Sequence, residues 1–561
     1  MSRPRRALVP LLLASTLGPG CLPFDEARTS FCEKADPARR QELCDPEDTT
    51  SPTVVSTAPS GTSVDVRPAI SITFSEPMDP ASLTPGTFSV ERGETPVSGS
   101  VGYADATATF TPSSRLMPLG QYTARVTTGA KDAAGNPLAA AHEWSFTVRD
   151  GQWGTEQLLE QDDIGDATGP QVAANASGRG IAVWLQSDGI RDNVWASTYA
   201  PETGWGTPQL VERNDVGTSV SPQVGIDAAG NALVVWAQRD GSMFSIWANR
   251  YIPGAGWTTP GLLENINQGD ALAPKLAMNA SGAAIAVWQQ KSSGGRYDIW
   301  ANRYFPGVGW GNPERVELND TGDAIEPHVA LGEAGNAHVV WLQYEGTRLD
   351  LYANTHVLGS DWTVPERIET QDLGNALSPR LVVDGGGRAI AVWLQHDGAL
   401  ATLRARRFVP GTGWGSAQRL DTGGVDAGTP TLAVRPSGEA VVLWTQPDAG
   451  LPTLWARRFV PNPGWAGAET VVASETAVME PKVAIDPLGN AIAVWRQQSS
   501  GRVALATSRY VVGAGWGEPQ FLKDSAGDAE MPALTIDGTG VALTAWPQRD
   551  GVSSIWSNRR E

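Results

Sequence analysis

The sequence predicts an all-β protein: a β-sandwich followed by an eight-bladed β-propeller, closed by pairing its first strand with its last three. Three observations carry this. One unit recurs eight times, its W-x-Q tryptophan falling at Trp184, Trp236, Trp288, Trp341, Trp393, Trp444, Trp495 and Trp546, at intervals of 51 to 53 residues. Self-similarity at such a period marks a solenoid, propeller or array. Ahead of the repeats, apolar and polar residues alternate in short runs, the signature of half-buried strands. Finally, 62 glycines and 40 prolines break the apolar runs into short pieces, and no helical heptad is present.

Residues 1–21 read as an export signal. Arg3, Arg5 and Arg6 precede an apolar run from Ala7 to Leu17, too short to span a bilayer, and then Gly18-Pro19-Gly20-Cys21. This resembles the bacterial lipoprotein signal, in which the cysteine is lipidated. The resemblance implies lipid attachment at Cys21, although Leu17 stands four residues before it rather than three and Pro19 intervenes. Ordinary secretion is the alternative. Residues 22–50 read as a polar linker, and with Cys21 acylated, Cys32 and Cys44 remain as a pair able to form a disulfide in an oxidising compartment.

Residues 51–149 carry the alternation, in Ile70-Ser71-Ile72-Thr73-Phe74, Ala106 to Phe110, Tyr122 to Val126 and Trp144 to Val148. About seven such strands make a sandwich. The stretch Ile72-Thr73-Phe74-Ser75-Glu76-Pro77-Met78-Asp79, with Phe110-Thr111-Pro112, Leu119-Gly120-Gln121-Tyr122 and Asp132-Ala133-Ala134-Gly135-Asn136, resembles the bacterial Ig-like domain of S-layer and other surface proteins. The resemblance implies a spacer or stalk. Asp79, Asp132 and Asn136 are read as turn residues rather than a cation site, because Asp and Asn bond their own backbone in turns.

Residues 151–561 hold the repeats. In the second unit the expected strands are Gln223–Asp227, Ala232–Gln238, Ser245–Tyr251 and Pro260–Glu264, each unit being opened by a proline, here Pro222. The second strand is apolar on both faces, as in Ala284 to Trp288, which fits a sheet covered on both sides. The domain begins with a lone fourth strand, Trp153 to Glu160, and ends at Trp556 in a third strand. Joining them completes an eighth blade and removes the exposed edges.

Of the 22 tryptophans, the eight of W-x-Q are read as inter-blade core, and eight more open the fourth strands. Trp195, Trp247, Trp300, Trp455 and Trp556 lie in third strands at a slot that becomes Tyr352, Arg404 and Ala506 elsewhere. This variable slot makes them the candidate ligand contacts. The invariant Gln of W-x-Q is expected to bond the following turn or the next blade, a semi-buried amide needing partners. The linking loops carry pairs such as Asp163 with Asp166, Asp320 with Asp323 and Asp372 with Asn375. They share a face with the turns at Asp188, Asp240, Asp397 and Asp550. That acidic face is read as turn chemistry, without an EF-hand pattern for calcium.

Val-x-Ile-Asp-x-x-Gly-Asn-Ala (224–232 and 483–491) is similar to NHL-type blades. Val-Trp-x-Gln followed by Ile-Trp-Ala-x-Arg-Tyr and Gly-Trp resembles fucose-binding lectin propellers and sialidase-like repeats. The sialidase Asp-box is absent, and no lectin contact residue maps onto these positions.

The balance of 42 basic against 61 acidic residues, a net charge of −19, argues against nucleic acid and anionic membrane surfaces as partners. Any membrane association is expected through a lipid anchor alone. Only His338 and His396 of the five histidines adjoin the repeated apolar strand, so neither a zinc site nor any cofactor is expected. Acidic residues recur by repeat rather than forming one singular pair, as a glycosidase would need, and G-x-S-x-G and P-loop motifs are missing. The expected function is therefore a non-enzymatic envelope protein, an outer-membrane lipoprotein or a secreted one, that binds a protein or glycan at the cell surface. The alternatives are a carbohydrate-active enzyme with its site over the propeller axis and a structural envelope subunit.

Overall fold

The computed structural model describes residues 48–561 apart from 162–163, 214–216, 266–267, 319–321, 370–373, 397, 500 and 523–526. Cys21, Cys32, Cys44, Asp163, Asp320, Asp372 and Asp397 lie outside the described residues. The described residues divide into two compact units, 48–114 with 121–147, and 115–120 with those from 148 to 561. Among the described residues the regular structure is all β but for one 3₁₀ turn, Pro80–Ser82, which Asp79 caps by accepting the Ala81 amide at 3.0 Å.

The N-terminal unit is a sandwich. Strands Val54–Ala58, Ile70–Phe74, Thr107–Pro112 and Gly99–Ala104 form one sheet; Gly61–Val64, His142–Val148, Gln121–Val126, Phe88–Arg92 and Thr95–Pro96 form the other. The alternation does what period 2 dictates: Ile70, Ile72 and Phe74 are buried, while Ser71 and Thr73 between them are not. Phe88 and Phe110 meet across the sheets at 5.9 Å between ring centroids.

The repeats form eight antiparallel sheets among the described residues, each an open ladder. The eighth combines Ala533–Ile536, Ala542–Asp550 and Val552–Arg560 with Gln157–Leu158 from the start of the domain, Gln157 opposite Ser557 and Leu158 opposite Trp556. In the second sheet the strands are Ser219–Ile226, Ala232–Asp240 and Met243–Ile252, then two short pieces, Gly256–Trp257 and Gly261–Leu262. Two expectations are corrected here. The fourth strand is broken, and in five units a proline (208, 260, 313, 365, 519), having no amide to give the ladder, sits in or beside the gap. In six units the opening proline stands inside the first strand, at a bulge where the register shifts, as between Val220 and Gln223.

The first strands pack neighbour on neighbour through the series, and that of the eighth sheet packs on that of the first. Between successive sheets lie apolar cores built alike. One joins Val183, Val194 and Val211 of the first sheet to Val234 and Trp236 of the second. Another joins Ala545 and Ile555 of the eighth to Ala182 and Trp184 of the first. All eight W-x-Q tryptophans are at most 2% exposed. Each donates its indole N–H to the Gln two residues on, at 2.8 to 3.3 Å. In six units the same Gln donates to a carbonyl of its own sheet's entry loop, such as Gly165, Gly217 or Gly374. The amide therefore binds its own Trp and the preceding loop, where the sequence reading expected the following turn or the next blade.

Candidate anion site on the first strands

The bulge fixes the geometry. The residue before the proline takes a left-handed backbone at Ser221 (φ 54°), Ala273 (52°), Glu326 (51°), Ser378 (51°) and Glu480 (50°). Such a conformation at a non-glycine residue costs on the order of 1–3 kcal/mol and is concentrated at functional sites. The residue after the proline re-enters the ladder at one register in every sheet: Gln171 opposite Val183, Lys275 opposite Val287, His328 opposite Val340, Arg380 opposite Val392, Lys482 opposite Val494. Gln223, Thr431 and Ala533 hold the slot in the remaining sheets.

Four cation-forming side chains thus project from equivalent slots of the third, fourth, fifth and seventh sheets, and they come together. Arg380 Nη1 lies 3.4 Å from His328 Nε2, and also donates to the Pro379 carbonyl at 2.8 Å. Desolvation first, then Arg380 and Lys482, bring the Lys275 amine down to about 8. Desolvation, then Arg380 and Lys275, hold His328 well below the usual imidazole value. Desolvation and Arg380 lower Lys482 in turn, and desolvation lowers Arg380 itself. All four remain part-exposed to solvent. Two carboxylates flank them. Glu326 acts on Lys275 and Arg380, while Glu480 is paired with Arg496 at 2.7 Å. The arrangement can hold an anion. Like charges gathered in low dielectric are unfavourable alone, and an anionic ligand relieves them.

None of these four was a candidate in the sequence reading. That reading looks for aromatic contacts at the variable slot of the third strand, whereas this slot lies in the first strand and carries Lys, His or Arg in four units and amide, hydroxyl or methyl in the rest. His338, which adjoins the repeated strand, is a core residue: 2% exposed, bonded to Thr355 Oγ1 at 3.0 Å and lowered to about 4 by burial.

The third-strand tryptophans are not brought together. Each lies half-buried in its own inter-sheet core: Trp195 in the one between the eighth and first sheets, Trp247 between first and second, Trp300 between second and third, Trp455 between fifth and sixth, Trp556 between seventh and eighth. Trp195 stands opposite Trp184 on the adjacent strand, and Trp455 opposite Trp444, their rings stacked 6.5 Å apart. The acidic linking loops also have structural work. Asp166, Asp270, Asp323, Asn375, Asp426 and Asp528 each accept a backbone amide at the start of the preceding sheet's third strand, at 2.7 to 3.0 Å. In the sandwich, Asp132 accepts the Asn136 amide and side chain, and its carboxylate lies near those of Asp48 and Glu76.

No curated protein matches the chain. Solved structures of similar fold include an ulvan lyase, a polysaccharide lyase (12% identity, 64% of this chain and 93% of that one, TM-score 0.40). Others are the intramolecular trans-sialidase of Ruminococcus gnavus (12%, 70% and 93%, 0.32) and the α-L-arabinanase of Penicillium chrysogenum (14%, 53% and 94%, 0.34). The expectation of a non-enzymatic protein is corrected by these comparisons: carbohydrate-active enzymes are among the similar structures, so the absence of catalysis cannot be read from this architecture. Among the described residues no helix is long and apolar enough to cross a membrane. A family model described as the bacterial Ig-like domain matches residues 48–148, and that part of the chain belongs to this family.

Proposed function

We propose that the chain is an exported cell-envelope protein acting on an anionic glycan, in which an Ig-like domain (51–149) is joined to an eight-bladed propeller (151–561). The observation that carries the reading is the convergence of Lys275, His328, Arg380 and Lys482 from four sheets. A carboxylate or sulfate on a sugar ring fits an Arg fork beside ammonium groups. The uncharged slots Gln171, Gln223 and Thr431 offer amide and hydroxyl groups suited to sugar hydroxyls. The chain's net charge of −19 disfavours a long polyphosphate such as nucleic acid.

The closed ring is supported by one pairing that brings the domain's first strand into the last sheet and by three links from that sheet to the first. Leu158 pairs with Trp556; Asp166 accepts the Ser553 amide at 2.9 Å; Arg559 donates to the Tyr199 hydroxyl at 2.8 Å; and the apolar core between these sheets resembles the other seven. The electrostatic influence of Lys482 on Lys275, four sheets away along the chain, fits the same closure. Export is supported by the basic and apolar run ending at Cys21 and by the Ig-like domain. Lipid attachment at Cys21, an outer-membrane location and a Cys32–Cys44 disulfide belong to this proposal.

The test is calorimetric titration of the full chain with polygalacturonate, alginate, hyaluronan and neutral dextran. Binding of an anionic polymer at one site per chain, weakened by salt and by Arg380→Ala, is expected. Equal binding of dextran, or no effect of the substitution, overturns the reading.

A further inference from the structure

We propose that the first-strand site cleaves uronate-containing glycans by β-elimination, with His328 as the proton acceptor; this rests on the anionic-glycan reading above. Such a reaction needs three things at one place: cations that neutralise the uronate carboxylate, a neutral base for the proton on the carbon next to it, and a donor for the leaving oxygen. Hydrolysis would need two opposed carboxylates instead. Here Glu326 is exposed and balances Lys275 and Arg380, Glu480 is tied to Arg496 and balances Lys482, and no opposed pair of carboxylates is formed among them.

The geometry assigns the parts. A guanidinium only donates, so the His328 Nε2 that meets Arg380 Nη1 at 3.4 Å carries a lone pair, and the imidazole is neutral. Burial and the adjacent cations hold it so. Arg380 and Lys482 take the carboxylate, and in turning its fork to the ligand Arg380 frees Nε2. Nε2 then removes the proton from C5. The C–H electron pair becomes the C4–C5 double bond, and the C4–O4 bond breaks. The departing oxygen, which stays on the neighbouring sugar, takes a proton from the Lys275 ammonium. The products are a 4,5-unsaturated uronate and a new reducing end. No water, oxidant or reductant is consumed, and the proton gained by His328 balances the one lost by Lys275. The amine near 8 is charged yet readily deprotonated at neutral pH, as such a donor must be.

The experiment incubates the full chain with polygalacturonate, alginate and hyaluronan. It follows the ultraviolet absorbance of the conjugated double bond, new reducing ends, and binding by calorimetry. The expected result is absorbance rising in step with reducing ends. His328→Gln should slow turnover about 100-fold or more while leaving binding within a few-fold. A primary isotope effect on substrate deuterated at C5 gives the same answer with the unaltered protein, should the variant fold poorly. Reducing ends without the chromophore, binding without product, or His328→Gln as fast as the parent overturns the elimination. Failure of every anionic polymer to bind overturns the anionic-glycan reading itself.

Discussion

The Asp166 carboxylate accepts the backbone amide of Ser553 at 2.9 Å, joining residues 387 positions apart by the same bond that Asp270 makes to Phe244 between neighbouring sheets. That amide first, then Arg549, holds the Asp166 carboxyl below its usual range. A depressed carboxyl contributes stability above its unfolded value and loses it as pH falls through its folded one, so this bond should weaken only in acid. In a closed ring, Asp166→Ala should lower the thermal midpoint as much as Asp270→Ala, each losing about 1 kcal/mol. Scanning calorimetry of the two variants checks it. An Asp166→Ala midpoint equal to the parent's, beside a clear drop for Asp270→Ala, would mean that the end sheets do not latch.

The W-x-Q clamp makes a second prediction. Gln238 receives the Trp236 indole at 3.1 Å inside the core and gives its own amide to Gly217 O in the part-buried entry loop. Gln238→Leu should strand the indole N–H and the carbonyl, at about 1–3 kcal/mol. Trp236→Ala should lose about 3–5 kcal/mol through the cavity. Denaturant midpoints should rank parent, Gln238→Leu, Trp236→Ala in falling order.

A third concerns the third-strand tryptophans. Trp247 packs in the core between the first and second sheets. Trp247→Ala should therefore reduce stability and leave the affinity for an anionic polymer within about two-fold. A loss of affinity with an unchanged midpoint would make this residue a ligand contact.

What the sequence made legible follows from which constraints repeat. Burial at one slot of every unit forces Trp184 through Trp546 into register, and Pro and Gly mark the turns, so sheets and their cores could be read without coordinates. The lone fourth strand at Trp153 to Glu160 could be matched to the last three because the units share one strand order. The broken fourth strand was hidden, since a short apolar run does not show where its ladder lapses. The site was hidden for a deeper reason. Lys275, His328, Arg380 and Lys482 lie in different units, and only the convergence of the first strands makes four scattered residues one constellation. The bulge that aims them rests on a left-handed residue before proline, which local preference disfavours.

That constellation sets the last prediction. Lys275 is faced by Arg380, Lys482 and Glu326, and with desolvation they leave its amine near 8 rather than 10.5. Between those values the unfolded chain binds the proton and the folded chain does not, so this group adds stability as pH rises from about 8 and disfavours the fold below it. An anion in the site should reverse the bias by favouring the charged amine. Affinity for polygalacturonate should then be greatest below pH 8, fall as pH rises through it, and be accompanied by proton uptake near pH 8. Calorimetry in buffers of different ionisation enthalpy measures that uptake. Lys275→Met should weaken binding at pH 7 and flatten the dependence around pH 8, leaving any change below pH 6 untouched. An uptake that persists in Lys275→Met would assign the linked proton to a different group.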